Sequence, residues 1–437
     1  MNSYGRLRTL ITAAAVAATV TACSNTSDGG AAGVAGTDAG GAFKVSSKAC
    51  PPDAAKALGK GETMKIGTTW PLSGPYAALG LPFVEGAKVA FAKVNAAGGI
   101  DGHDLQLDPK DDGYDPSKTL PAVTELVQKD KVFATLGQAG TPNVAAVQPL
   151  HEQTCTPQLF VGSGAPQFSD PAKHPWTLVG PMAYTTEAQI WADYLAENKP
   201  GAKVAYLQLD NDSGQAYADG FTAAAKEKGL TIVASEKAAV DAASVENQAT
   251  NILAAKPDVV ILMSIGSSCA KALGAVAAGG FKGQIITAYT CSAPDIFPVL
   301  GAAADGALFV DVSKQVTDTS DPDITQFLAD VDKYGSGGDK PNDTTLLGYR
   351  YGLLLADTAK AAAAMDGGLT RVNLMNAAWH LDSKWFAAVG GAAKTDGTKD
   401  AYALETGQML GWDAKSQKFH PVGDLLDREG KTGSYSG

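Results

Sequence analysis

From residue 64 onward the chain alternates short runs of Val, Ile and Leu with longer amphipathic stretches, and this alternation most limits the folds open to it. The runs at 64–69, 132–136, 159–161, 204–209, 231–234, 259–263, 285–288 and 308–312 are candidate strands. Several are nearly continuous in apolar residues, as in parallel strands covered on both faces. Between the first two, Phe83, Ala87, Ala90, Phe91 and Val94 fall on one helical face, and the segment stops at Gly98-Gly99. Further helices are expected at 142–153, 185–198, 215–228, 245–255, 269–278, 324–334 and 346–365. Strands separated by helices imply βαβ units with parallel pairing. There are too many strands for one comfortable sheet. The expected fold class is therefore α/β, with two doubly wound parallel-sheet lobes joined by crossover strands. The first would hold 64–183 plus 312–399, the second 184–311 plus 400–424, with a tail at 425–437.

The N-terminus points to export. Arg6 and Arg8 precede an apolar run at 10–20 that is too short to span a bilayer and suits the core of a signal peptide. The run ends Val20-Thr21-Ala22-Cys23, which resembles the lipobox of bacterial lipoproteins. That resemblance implies a signal peptide at 1–22, lipidation at Cys23 and membrane attachment through acyl chains alone. The plainer alternative is an ordinary secretory signal followed by a chance cysteine. Residues 23–49 read as a flexible tether, because Gly, Ala, Ser, Thr and Asp dominate most of that stretch. A net charge of −11 without a basic patch disfavours nucleic-acid binding.

Four strand ends are small and polar: 137–141, 162–165, 266–268 and 289–292. In open α/β sheets, ligands sit beyond the carboxyl ends of strands, near helix N-termini. Thr141 followed by Pro142 fits a helix cap, and such residues are commonly no more than caps. Their recurrence in both expected lobes favours a shared ligand site.

The motif Lys65-Ile66-Gly67-Thr68-Thr69-Trp70-Pro71-Leu72-Ser73-Gly74-Pro75-Tyr76-Ala77 resembles the opening of the type I periplasmic solute-binding proteins, the leucine/isoleucine/valine-binding family. So do Glu85-Gly86-Ala87, Val94 to Gly102 and the acidic turn Asp111 to Pro116, and the likeness runs from about 64 to about 424. It implies ligand contacts in the first lobe near Gln138, Ala139, Gly140, Thr141, Ser163, Gly164 and Ala165. In the second lobe it implies contacts near Tyr184, Ser213, Ser267 and Thr290. Leu79 falls where the family often places a shielding aromatic residue. Family members that bind amino acids have a glutamate where Thr290 stands, so a ligand ammonium would need another counter-charge, for which Asp212 and Asp295 are candidates.

Setting Cys23 aside, Cys50, Cys155, Cys269 and Cys291 allow three connectivities, and no CxxC is present. Cys269 and Cys291 follow neighbouring expected strands, which favours that pair and would leave Cys50 with Cys155 by elimination. No catalytic apparatus emerges. His103, His151, His174, His380 and His420 are scattered, with no metal-site spacing. Ser268-Cys269-Ala270-Lys271 with Lys431-Thr432-Gly433 has two pieces of a serine acyltransferase signature but lacks the middle one. The expected function is capture of a small polar solute (amino-acid-like, aromatic carboxylate or amide) by an extracytoplasmic, monomeric, lipid-anchored partner of an ABC permease and ATPase. No enzyme activity, cofactor or metal is expected. A ligand-sensing receptor on the same fold is the alternative.

Overall fold

The computed structural model describes Gly36–Thr37 and residues 43–435, apart from 339, 391 and 434. The expected signal peptide and Cys23 lie outside the described residues. In the first lobe a five-stranded sheet is built from β1 (Met64–Trp70), β2 (Leu105–Asp111), β3 (Ala134–Leu136), β4 (Gln158–Val161) and β5 (Thr177–Val179). Their order is β2-β1-β3-β4-β5, all parallel. In the second lobe β6 (Lys203–Leu209), β7 (Thr231–Ala238), β8 (Val259–Met263), β9 (Gln284–Thr287) and β10 (Leu308–Asp311) repeat that order as β7-β6-β8-β9-β10. The sheet is then extended antiparallel by β11 (Thr406–Asp413) and β12 (Lys418–Pro421). Each sheet thus has a switch point, between β1 and β3 and between β6 and β8, where the crevice of a doubly wound fold forms.

The apolar runs explain the strands. All five residues of β8 are buried, as a strand covered by helices on both faces requires. The first-lobe helices are α1 (Ala77–Ala96), α2 (Pro116–Thr124) and α3 (Thr141–Thr154). Those of the second lobe are α4 (Tyr184–Asn198), α5 (Asp212–Glu227), α6 (Glu246–Ala254), α7 (Gly266–Ala278) and α8 (Ala293–Leu300). After β10 the chain returns to the first lobe through α9 (Pro322–Tyr334), α10 (Asp343–Ala363) and α11 (Arg371–Ala378). Helices α1 and α10 meet backbone to backbone: a Cβ on Gly348 would lie 2.0 Å from the Phe83 carbonyl, and one on Gly86 1.9 Å from that of Thr345.

Two expected boundaries are corrected. The tether ends before residue 43, because Phe43 and Val45 are buried in the first lobe. The Phe43 ring packs edge-on to Trp379, and the Val45 amide donates to Asn376 Oδ1. The stretch 425–435 is no loose tail either. Leu426–Asp427 pairs antiparallel with β11, the Ala401 amide donates to the Gly433 carbonyl, and the Tyr435 amide donates to Ser169. Low local hydrophobicity gave no sign of these long-range contacts.

Candidate ligand-binding cleft

The first wall is set by the acidic turn. Asp111 accepts the Leu72 amide at 2.8 Å and the Ser73 hydroxyl at 2.5 Å, fixing the loop after β1. Desolvation pushes its carboxyl up, but the hydrogen bonds from Ser73, Leu72 and Gly113 outweigh it and hold the group below its ordinary value. Asp112 is buried and accepts from the Tyr114 amide, Thr119 Oγ1 and Asn143 Nδ2, which tie the turn to α3. Here desolvation wins and the carboxyl is raised. Tyr114 is thereby set against Gly140, where φ is 95° and a Cβ would lie 2.9 Å from the ring. Only glycine suits both demands. The Tyr76 ring lies 5.2 Å from that of Tyr114.

Thr141 is the first residue of α3 and not its cap, a position that falls to Gly140. Its hydroxyl is instead 2.7 Å from Ser163 Oγ, at the neighbouring strand end. Several expected contacts are already committed. The Ala139 and Gly140 amides donate to the Thr69 and Gly162 carbonyls, and the Ala165 amide to Ser163 Oγ. Gln138 is a correction: its side chain turns into the lobe, accepting from Thr135 Oγ1 and Gln158 Nε2, while Gln158 accepts from Thr177. A side chain held in that buried row cannot also reach the cleft.

On the second wall, the Tyr184 ring packs against Gly164, where a Cβ would lie 2.8 Å from it, and its amide donates to the Gly164 carbonyl at 2.8 Å. Burial raises the Tyr184 phenol, partly offset by hydrogen bonding from Thr141, Ser163 and the Gly164 amide of the first wall. Behind it Tyr217 stacks at 4.2 Å. Glu187, fully buried, accepts the Tyr217 hydroxyl at 2.6 Å and the Tyr289 amide at 2.8 Å. Desolvation pushes its carboxyl up to about 8, so it holds a proton at neutral pH. Thr290 donates to the Ser264 carbonyl at 2.5 Å, and Ser213 to Asn211 Oδ1 at 2.6 Å. Asp212 is exposed at the start of α5.

The lobes touch across the cleft. The Tyr76 phenol and the Ser268 hydroxyl converge on the Val240 carbonyl, 2.5 Å away in each case, and lie 2.8 Å from one another. Ser267, exposed beside them, also acts on the Tyr76 phenol. Leu79, at the position where the family often has a shielding aromatic residue, faces Gly266 of the second lobe. Thr344 Oγ1 donates to Asp295 at 3.3 Å. Disulfides join Cys269 to Cys291 and Cys50 to Cys155. The first ties α7 to the turn that carries Thr290. Ser268 and Lys271 bond to different carbonyls, Val240 and Ala242, so no serine–lysine nucleophile is assembled. Among the described residues no group of three His, Cys, Asp or Glu side chains is placed to hold a metal.

Sequence alone passed over Tyr76, Tyr114, Glu187, Tyr217 and Tyr289. Tyr76 and Tyr114 lay within its motifs and Tyr289 within a strand end it singled out, whereas Glu187 looked like an ordinary first-turn acid.

The sequence profile of the periplasmic binding protein family matches residues 63–415. An amino acid binding protein of Pseudomonas aeruginosa is 24% identical over 362 residues, 82% of this chain and 92% of that protein. The Leu/Ile/Val-binding protein homolog 7 of Brucella abortus is 24% identical over 230 residues, and the match spans only 57% of that relative's length. Among solved structures, a branched-chain amino acid ABC transporter protein from Thermus thermophilus with bound valine superposes with a TM-score of 0.75. It shares 19% identity, over 84% of this chain and 97% of that one. A fatty acid ABC transporter substrate-binding protein from Thermomonospora curvata gives 0.73 at 21% identity, over 86% of this chain and 96% of the other.

Proposed function

This chain belongs to the periplasmic binding protein family, in its type I leucine/isoleucine/valine-binding branch, and on that premise we propose that it captures a small carboxylate or amide for an ABC uptake system. The observation that carries the reading is the Thr141–Ser163 hydroxyl pair facing Tyr184 from the opposite lobe. Two hydroxyls, the Gly164 amide and the N-terminus of α3 together suit a carboxylate.

The rest of the ligand is uncharged in this reading. Thr290 offers no charge, Glu187 is neutral and doubly bonded, Asp295 is engaged with Thr344, and Asp212 is exposed. An α-amino acid would leave its ammonium without a counter-charge in the closed cleft. The phenols of Tyr76, Tyr114, Tyr184 and Tyr289 instead favour an aromatic body, which stacks or packs edge-on against them. Relatives named for amino acid and fatty acid binding fit the carboxylate end equally well.

The ligand docks on the first lobe, and the second closes over it. Contacts that exist only in the closed form shift the population toward it. A permease that recognises the closed form then receives loaded protein preferentially. The relatives are solute-binding proteins and the chain is not an enzyme. Among the described residues no helix is long and apolar enough to cross a membrane. Attachment through a lipid on Cys23, with the tether holding the receptor near its permease, completes the proposal.

A thermal-shift panel tests it. Benzoate and 4-hydroxybenzoate raise the melting temperature, while leucine and valine leave it unchanged. A clear shift with leucine would mean that another group neutralises the ammonium.

A further inference from the structure

At the hinge end of the cleft three carboxyl groups come together where the two lobes meet. Asp295, on α8 of the second lobe, takes the Thr344 hydroxyl at 3.3 Å and the Asp343 amide, so from across the cleft it adds a carboxyl to the N-terminus of first-lobe helix α10, which Asn342 caps. The Asp343 side chain feels the charges of both Asp295 and Asp311. Asp311 ends β10 at the crossover, where it accepts from the Ser313 amide at 2.9 Å and from Gln315 Nε2.

One cation faces this group. Arg350, 4% exposed, donates to Ser313 and lies over Trp385, and its Nε and Nη1 have no hydrogen-bond partner. Of the other basic groups on neighbouring elements, Lys314 pairs with Asp321 and Asp323, Lys384 pairs with Asp323, and Lys340, just ahead of α10, is exposed to solvent. Opposite Asp311 in register on β11 stands the neutral Gln408. Asp311 is buried and Asp295 and Asp343 are half-buried, so three acids facing one guanidinium leave negative charge uncompensated, and drawing it out of water is costly unless protons neutralise it.

We propose that closure of the cleft takes up protons at this carboxyl cluster, so that the protein closes more readily in mild acid than at neutral or alkaline pH. In the open form Asp295 leaves with the second lobe and returns to water. In the closed form burial pushes Asp295 and Asp311 up to about 6 and raises Asp343 well above its ordinary value. The sign follows directly: the closed form holds protons that the open form has released, so closure is favoured below about pH 6 and weakens as pH rises through it. Asp295 alone, moving between an ordinary value of 3.8 and about 6, changes the closed-to-open ratio about tenfold between about pH 8 and about pH 5.

The inference rests on the reading that two lobes open and close, and the test separates the two. Small-angle scattering of the ligand-free, disulfide-intact protein gives a smaller radius of gyration at about pH 5 than at about pH 8. Asp295→Asn and Asp343→Asn each compact the protein already at about pH 8 and flatten the pH response. A radius independent of pH, one that grows in acid while circular dichroism stays native, or variants no more closed than the parent would overturn the proposal. Compaction on adding benzoate, equal at both pH values, would keep lobe closure and remove proton coupling.

Discussion

In the first lobe the Thr141 and Ser163 hydroxyls point at one another across two strand ends and at a phenol of the opposite lobe. In the second lobe the corresponding polar side chains hold their own loops. Thr290 bonds the Ser264 carbonyl, Ser213 bonds Asn211, and Glu187 braces Tyr217 and Tyr289. Both walls rise from sheets of the same strand order, yet one offers polar groups to a ligand while the other offers a braced aromatic surface. The contrast supports the proposal that the ligand docks on the first lobe and that the second closes over it.

The braced wall breaks most severely at its covalent tie. Replacing Cys269 and Cys291 by serine removes a crosslink between positions separated by 22 residues and costs about 3 kcal/mol, read by urea unfolding. No loss of stability would mean that the two loops are held by packing alone. The docking wall is tested next. Thr141→Ala with Ser163→Ala lowers benzoate affinity on the order of thirtyfold, about 2 kcal/mol by calorimetry, whereas Ser213→Ala changes it by less than about threefold. Equal losses from both would erase the distinction between the walls.

Glu187 sharpens the comparison through pH. Its folded-state value of about 8 exceeds the ordinary 4.5, so the native state keeps a proton that the unfolded chain releases. Stability therefore declines from about pH 4.5 to about pH 8 and then levels. Glu187→Gln removes only part of that decline in a melting-temperature series, since Glu152, also raised to about 8 by burial, and the raised carboxyls Asp295, Asp311 and Asp343 contribute to it as well. A parent protein more stable at about pH 8 than at about pH 5 would contradict the neutral brace. The smallest effect belongs to the latch between the walls: Tyr76→Phe loses the phenol at Val240 and Ser268 and weakens benzoate binding severalfold, about 1 kcal/mol.

How much of the cleft could be read in advance differed by residue. Thr141, Ser163 and Tyr184 were legible because strand ends and family motifs fix backbone positions, and their side chains need only point outward. Gln138 was misread for the complementary reason. At a strand end, one step in side-chain direction decides between cleft and interior, and the partners that turn it inward lie on β3, β4 and β5. Glu187 gave no signal, because a glutamate in a first helical turn is usually solvated and only the packing of Tyr217 and Tyr289 buries it.

Apolar periodicity determined the two-lobed α/β architecture without help, since continuous Val, Ile and Leu runs between amphipathic helices can be buried only in layered parallel sheets. Cys269 and Cys291 likewise narrowed the crosslinks through the strands they follow, which left Cys50 with Cys155 by elimination. Tertiary structure alone decided which hydroxyls meet, that Phe43 and residues 426–433 are built into the domain, and that Asp295, Asp311 and Asp343 gather beside one arginine. Periodicity records which face of an element is buried. Hydrogen-bond partners and the charge of enclosed groups depend on atoms brought together from distant stretches of chain.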